Sequence, residues 1–439
     1  MSFAGGALAR VSGLEPRRPR GTLVDVSPGV LRCAGADVAL GEEVRVGGPW
    51  GQEVAAEVVA LQRGTAVLLP VDAAPGLRVG LPVRATGARP TAPVGDGLLG
   101  RVLDGAGRPL DGRPLPRSLD RIPVDGPAPA PLERPRLGRA LATGVRALDA
   151  FATLAEGQRI GLFAGPGAGK STLLARLARG RGAEVCVLAL VGERGREVRE
   201  MVEDALGPEG LARSVVVAAT GDATPALRMR SAQLATAVAS WFARERGRSV
   251  LLLVDSLTRF ARAVREVGLS AGEAPVRQGY PARVFAELPR LLERAGTGAG
   301  APITGVYTVL SGGDAVEDPL SAEIQGLLDG HLVLDRRIAE AGRHPALDVL
   351  ASLSRCMTAV TSAEHRAAAA AVRRAMARHE AGRELVAAGA WVRGADPGFD
   401  AALDAAPAIE AFLRQDGGEE APLEETVDRL CRLGRELEG

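Results

Sequence analysis

The segment AGPGAGKST, residues 164–172, holds the only lysine of a 439-residue chain that carries 53 arginines. It stands between an apolar run, IGLF, and a helix-like run, STLLARLA. Glycines let such a loop fold around an anion and aim backbone N–H groups inward, and a helix N-terminus adds partial positive charge at the same point. This is the strand–loop–helix context of the phosphate-binding pattern GxxxxGK[ST], with one departure: Ala164 stands where the first glycine belongs. In this reading Gly165, Pro166, Gly167, Ala168, Gly169, Lys170, Ser171 and Thr172 cradle phosphates, and the Ser171 hydroxyl meets Mg²⁺. Lysine is chemically distinct here. Its ammonium is a compact point charge on a thin stem, whereas a guanidinium is wide and planar. Were basic positions interchangeable, the sole lysine would fall at this spot about one time in 54. The competing reading is a glycine-rich turn with a solvated lysine.

A phosphate loop binds a nucleotide without cleaving it, so hydrolysis needs further groups. LVGERGREVRE (190–200) follows a buried apolar run. Glu193 could polarise a water for attack on a terminal phosphate, Arg194 could face the developing charge, and Glu197, a turn on, could hold a metal-bound water. A charged helix start with i,i+4 ion pairs would look the same. LLLVDSLTRF (251–260) is an apolar strand that ends in Asp255, the usual place for an acid that holds Mg²⁺. An N-cap is the alternative. Arg259, one turn on, is placed to reach phosphate. Arg355, in ALDVLASLSRCM, could project into the site of a neighbouring subunit, although spacing alone does not set it apart from the other 52 arginines.

These groups need a scaffold. From 141 to about 358 apolar strands alternate with amphipathic helices: QRIGLFAG, KSTLLARLARG, EVCVLALVG, REVREMVEDAL, RSVVVAAT, PALRMRSAQLATAVASWFARER, SVLLLVDS. Such alternation predicts a mostly parallel sheet covered by helices. Residues 21–90 read as short strands with Gly, Pro and Asp breaks, a small barrel or sandwich. LLGRVLDGAGRPLDG (98–112) reads as two turn-rich pieces, and the proline-rich stretch 114–136 as a linker along a surface. After 360 the chain turns alanine-rich and helical. The predicted architecture is an α/β P-loop NTPase core, RecA-like with a mostly parallel sheet, carrying a small N-terminal β-barrel and a C-terminal helical domain. Its boundaries are a flexible segment at 1–20, a barrel at 21–95, the nucleotide-binding core at 96–358 and helices at 359–439.

Composition narrows the function. A net charge of +1 gives no pull toward nucleic acid or an anionic membrane. Cys33, Cys186, Cys356 and Cys431 lie far apart, with no zinc spacing or disulfide framework, which fits a reducing cytosol. The N-terminal stretch lacks the apolar core of a secretion signal, and no apolar run is long enough to span a bilayer. EPRRPRG (15–21) reads as a solvated basic tail before it reads as a lipid or partner site.

Taken in order, GLFAGPGAGKSTLL, VGERGREVRE, LLLVDSLTRFARAVRE, GYPARVFAELPRLLERAG, YTVL, LDGHLVLDRRIAEAG and HPALDVLASLSR resemble the type III secretion export ATPases of the injectisome or flagellum, relatives of the catalytic subunit of rotary ATP synthases. The resemblance runs from about residue 20 to 435; LLGRVLDGAGRPLDG matches the family's entry into the ATPase domain. It implies oligomerisation for the barrel, ATPase activity for the core, and a homohexameric ring with ATP and Mg²⁺ between subunits. By motif, Lys170 and Ser171 hold phosphates and Mg²⁺, Glu193 is the general base, Arg194 and Arg259 contact the γ-phosphate, Glu197 and Asp255 orient magnesium waters, and Arg355 is the finger supplied in trans. The family's adenine wall is usually the tyrosine of a Y-P-A element. Here His344 takes that place, which implies weaker adenine stacking or looser base selectivity. SGGDAVEDPLSAE (311–323) is less acidic at its start than the family's loop, a change expected at subunit contacts. The resemblance further implies a cytoplasmic ring, peripheral to the inner membrane at the base of the export machine. Its partners would be a stator-like regulator at the N-terminal segment, a central stalk protein, and chaperone–substrate complexes.

Two other machines share this core. An RNA-translocating helicase of the transcription-termination type would need stacking aromatics on a basic barrel, yet residues 1–95 offer only Phe3 and Trp50. No nucleic-acid partner is therefore expected. A non-hydrolysing structural subunit of a rotary ATPase would not need Glu193. RPTAPVGDGLLG and AFLRQDGGEEAPLEET lean toward the injectisome over the flagellum.

Overall fold

In the computed structural model, residues 20–438 are described except 28, 49, 63 and 311–318. The N-terminal segment, with Phe3 and most of EPRRPRG, and the first part of SGGDAVEDPLSAE therefore lie outside the described residues. The chain forms two compact units.

The first unit comprises residues up to Pro90 together with Thr224–Ala226 and Glu266–Ala274. Strands β1 (Gly21–Ser27), β2 (Val30–Ala34), β3 (Glu43–Gly47), β4 (Glu53–Gln62), β5 (Thr65–Pro70) and β6 (Pro82–Ala85) close a barrel in the order β1-β2-β5-β4-β3-β6. Period-two patterning explains closure: Leu23, Leu31, Val44, Val46, Val58, Leu68 and Val83 fill the interior while their neighbours face outward. Along β5 the alternate residues Val67 and Leu69 are buried too, against Ala226, Val267 and Ala271 of the same unit. Trp50 is exposed, so the barrel has no cluster of stacking aromatics among the described residues.

The second unit takes the rest of the chain, from Thr91, and joins the nucleotide-binding sheet to the C-terminal helices. Its smaller pieces pair β7 (Thr91–Val94) with β9 (Asp120–Pro123), β10 (Ala140–Leu141) with β11 (Leu154–Ala155), and β16 (Pro275–Arg277) with β17 (Tyr280–Pro281). Its main sheet has eight strands: β8 (Arg101–Leu103), β12 (Arg159–Ala164), β13 (Val185–Glu193), β14 (Ser214–Thr220), β15 (Val250–Asp255), β18 (Ile303–Leu310), β19 (Gly330–Leu334) and β20 (Leu347–Ser354). They lie in the order β20-β19-β12-β18-β15-β13-β14-β8, all parallel except the edge strand β20. Unbroken apolar strands are what a doubly covered parallel sheet requires. Cys186, Leu188 and Leu190 of β13 pack on the side of helix Lys170–Arg179, together with Phe412 and Leu430 of the C-terminal helices. Val187, Ala189 and Val191 face helices Pro225–Glu245, Leu257–Ser270 and Ala282–Leu292.

Two local readings need correction, and a third gains a strand. The turn-rich stretch 98–112 contains β8, which extends the sheet beyond β14; three residues are too few to show periodicity. The buried Arg101 guanidinium grips Asp111 with both carboxylate oxygens, at 2.6 and 2.9 Å, and pins this turn to the sheet edge. That contact, more than any other, holds the Asp111 carboxyl well below its usual range. The proline-rich stretch contains β9, and it is fastened along its surface as a linker of that kind would be: Arg134 reaches Glu293 at 2.9 Å, and Arg294 donates to the Val124 carbonyl at 2.6 Å. REVREMVEDAL is not one regular helix. Helix Gly195–Glu200 widens into a π-helical turn, Met201–Leu206, before a second helix, Gly207–Ala212. Gly207 sits at φ +63°, and Pro208 after it has no N–H to donate back.

Candidate functional site

The phosphate loop follows β12, and its helix starts at Lys170. Gly167 and Gly169 have φ of +79° and +82°, a region that costs a side-chain-bearing residue strain. Ala164 is different. It is the last residue of β12, in register with Leu310 on one side and Leu334 on the other, where extended backbone suits any residue. The departure from the pattern therefore needs no compensation. Ser171 and Thr172 are exposed on the first turn, and among the described residues nothing bonds the Ser171 hydroxyl.

Because β12, β18, β15 and β13 run parallel, their C-terminal ends share one edge, the usual ligand edge of an open α/β sheet. There the structure assembles four of the residues singled out above. Lys170 Nζ lies 2.5 Å from Asp255 Oδ1 and 3.5 Å from Glu193 Oε1. Arg259 Nη2 lies 3.2 Å from Glu193 Oε2, and its Nη1 donates to the Gly192 carbonyl. Lys170 is only 14 % exposed, which removes the reading of a solvated lysine on a turn. Glu193 is aimed by a bulge: the register of β13 against β14 shifts at Gly192, whose φ is +68°.

The electrostatics separate the acids. Burial raises the Glu193 carboxyl to about 7, helped by its contact with the Glu197 carboxyl and by the Asp255 charge; Lys170 and Arg259 oppose the rise. Glu197 moves the other way, chiefly through its hydrogen bond with Glu193 and then through Arg194. Of the two acids, Glu193 therefore holds a proton more readily than Glu197. A group poised near neutrality can accept a proton from water in the transition state and release it afterwards. Thr308, buried on β18 between the loop strand and β15, donates to Asp255 Oδ1 at 2.7 Å and fixes that carboxylate. Sequence reasoning missed Thr308; its one signal is a hydroxyl inside the apolar run GVYTVL.

The remaining candidates stand further out. Arg194 is 82 % exposed and bonds Glu197 at 2.7 Å, so it reaches the cluster only through that acid. Arg355 is exposed just beyond β20, at the sheet edge, and its N–H donates to the Asp329 carbonyl at 3.0 Å. His344 is exposed, and its carbonyl accepts the Gln415 N–H at 2.8 Å. Ser171, Thr172, Glu193, Glu197 and Asp255 line one cleft of about 520 Å³, which runs along the loop helix to Gly417 and Gly418.

This geometry has known counterparts. Residues 144–354 match the model of the ATP synthase alpha/beta family, nucleotide-binding domain, and residues 361–432 match the T3SS EscN ATPase C-terminal domain. A type 3 secretion system ATPase of Xanthomonas euvesicatoria is 46 % identical over 95 % of the chain and 94 % of its own length. This chain belongs to the type III secretion ATPase family. ATP hydrolysis is its activity. The flagellar branch is similarly near: the flagellum-specific ATP synthase of Salmonella typhimurium is 44 % identical over 96 % of the chain and 95 % of its own length. Among solved structures, the assembled ATPase EscN of enteropathogenic E. coli superposes with a TM-score of 0.89 at 38 % identity, covering 94 % of this chain and 100 % of that one. EscN in complex with its central stalk EscO gives 0.86 at 37 % identity over the same shares. Among the described residues, no helix is long and apolar enough to cross a membrane.

Proposed function

We propose that the chain works as a homohexameric ring whose ATP hydrolysis drives type III protein export, releasing chaperones from substrates and unfolding them. The observation that carries this is the cluster of Lys170, Glu193, Asp255 and Arg259 at the ligand edge of the sheet. Lys170 draws the β- and γ-phosphates to the loop. Glu193 takes the proton of the attacking water. Arg259, already on Glu193, turns to the γ-phosphate, and Arg194 flanks it.

The residues fit Mg²⁺. The Ser171 hydroxyl has no bond among the described residues, and Ser171 lines the same cleft as Asp255 and Glu197. One hydroxyl and two carboxylates suit a cation whose remaining ligands are substrate phosphates and water. When bound, it would neutralise phosphate charge, with Ser171 as direct ligand and Asp255 and Glu197 holding its waters.

Arg355 and His344 acquire roles in the ring: Arg355 as the finger offered to the neighbouring site, His344 beside the base. EscN is solved both assembled and with its central stalk, which supports a ring and a stalk partner for this chain too. A stator-like regulator, chaperone–substrate complexes and a cytoplasmic position at the inner membrane complete the reading. We assign the chain to an injectisome, on RPTAPVGDGLLG and AFLRQDGGEEAPLEET; deletion of the gene should abolish effector secretion and spare motility, and the reverse would move it to the flagellum. The ring itself is tested by mixing Glu193→Gln protein with Arg355→Ala protein. Some interfaces then combine an intact base with an intact finger, so activity should return. No recovery despite confirmed co-assembly would contradict sites shared between chains.

A further inference from the structure

The cleft that begins at Ser171 ends against a segment from the far end of the chain. Gly417 and Gly418 line it opposite Ala175 and Arg179 of the loop helix. From Ser171 to Arg179 the helix rises about 12 Å, which leaves room beyond the phosphates for the rest of a nucleotide. The glycine pair also borders a second cavity of about 670 Å³ beside Gly144 and Arg176. Neither glycine has a neighbour where a side chain would be, so bare backbone faces the space.

One side chain sets where that backbone stands. Arg146, the first residue of helix Arg146–Phe151, is 4 % exposed, and its guanidinium is directed wholly at this segment. Nε donates to the Phe412 carbonyl at 3.0 Å and Nη2 to the Arg414 carbonyl at 2.5 Å, while Nη1 meets the Glu419 carboxylate. The contacts straddle the glycine pair, from 412 to 419. The Arg146 backbone N–H adds a bond to Gln415 Oε1 at 2.9 Å. Gln415 Nε2 is spent on the Gly144 and Glu419 carbonyls, at 2.8 and 2.9 Å, so its amide serves the scaffold rather than a ligand. A second arginine, Arg176 of the loop helix, donates to the Glu419 carbonyl.

We propose that Arg146 is a positioning residue for the nucleoside end of ATP: it fixes residues 412–419 as the backbone wall that closes the cleft beyond the phosphates. It touches neither phosphate nor base and acts through the wall. The inference rests on the reading of this cleft as the ATP site. A planar fork with three separately directed donors does this; an ammonium cannot reproduce all of them at once.

The test compares two probes on the full chain in the presence of Mg²⁺: ATP, and inorganic tripolyphosphate, which keeps the phosphates but has no nucleoside. Arg146→Met should weaken ATP binding about tenfold and raise KM in parallel, since a buried charge-assisted network is lost. Tripolyphosphate affinity should stay within about twofold and kcat within about threefold. Arg146→Lys should recover part of the ATP affinity. If Arg146→Met does not fold, Glu419→Gln, at the solvent side of the same network, should show the same split to a smaller degree. Parallel weakening of both probes, or unchanged ATP binding in every folded variant, overturns the proposal. Failure of the wild-type chain to bind tripolyphosphate, or tripolyphosphate binding untouched by Lys170→Ala, would instead bring down the assignment of the cleft itself, and the proposal with it.

Discussion

Replacing Glu193 by Gln removes one titration and keeps the shape, so its consequences can be worked out with sign and size. Glu193 is almost fully buried and its carboxyl titrates at about 7 against an ordinary 4.5. The folded state therefore binds this proton more tightly than the unfolded state. The stabilisation is fully present below pH 4.5 and is lost as pH rises to about 7, a loss of about 3 kcal/mol in all. Gln cannot titrate, so the variant escapes that loss. In nucleotide-free protein, the variant's advantage in unfolding free energy should grow between pH 4.5 and 7 and then level off. Calorimetric or denaturant melts of both proteins from pH 4.5 to 8.5 give the difference directly. Hydrolysis should fall by about 10² to 10⁴, the usual worth of a positioned general base, while ATP still binds. A stability difference that is flat with pH would refute the electrostatic reasoning. Unchanged turnover would refute the assignment of the base.

Other perturbations follow from the same site. Arg259 favours the ionised form of Glu193, so Arg259→Met should move the rise of kcat/KM with pH to higher pH, as well as lower its plateau; a pH–rate profile at fixed ionic strength reads both. Gly169 stands at φ +82°, so Gly169→Ala should cost about 1–2 kcal/mol of loop strain and weaken ATP binding, whereas Ala164→Gly, in extended strand, should leave affinity unchanged in parallel titrations.

Much of this site could be read from local signals. The lysine stood out by rarity, and its glycines by the conformations a loop around phosphate demands. Asp255 and Glu193 were visible because each ends an apolar strand, and parallel strands of one sheet must bring their ends to one edge. Position in the sheet was less legible. Nothing in YTVL says that β18 inserts between β12 and β15 and so brings Thr308 onto Asp255. β8 and β9 are short, and they become strands only because the edge of β14 and the strand β7 offer partners. The Arg146 network escapes sequence reasoning for a plainer reason. Its partners lie more than 260 residues away, and one arginine among 53 carries no mark. The exposed Arg355 owes its proposed role to a neighbouring copy, so the pattern of one chain identifies it only through resemblance.

The account turns on Lys170, the one ammonium in the chain, which rests between Asp255 and Glu193 and would be drawn to phosphate when ATP enters. The direct measurement is ATP binding and hydrolysis by Lys170→Ala protein beside the wild type, with circular dichroism to confirm that both are folded. The account predicts that affinity for the triphosphate drops sharply and turnover is lost. ATP bound and cleaved as well by the variant as by the wild type would contradict it.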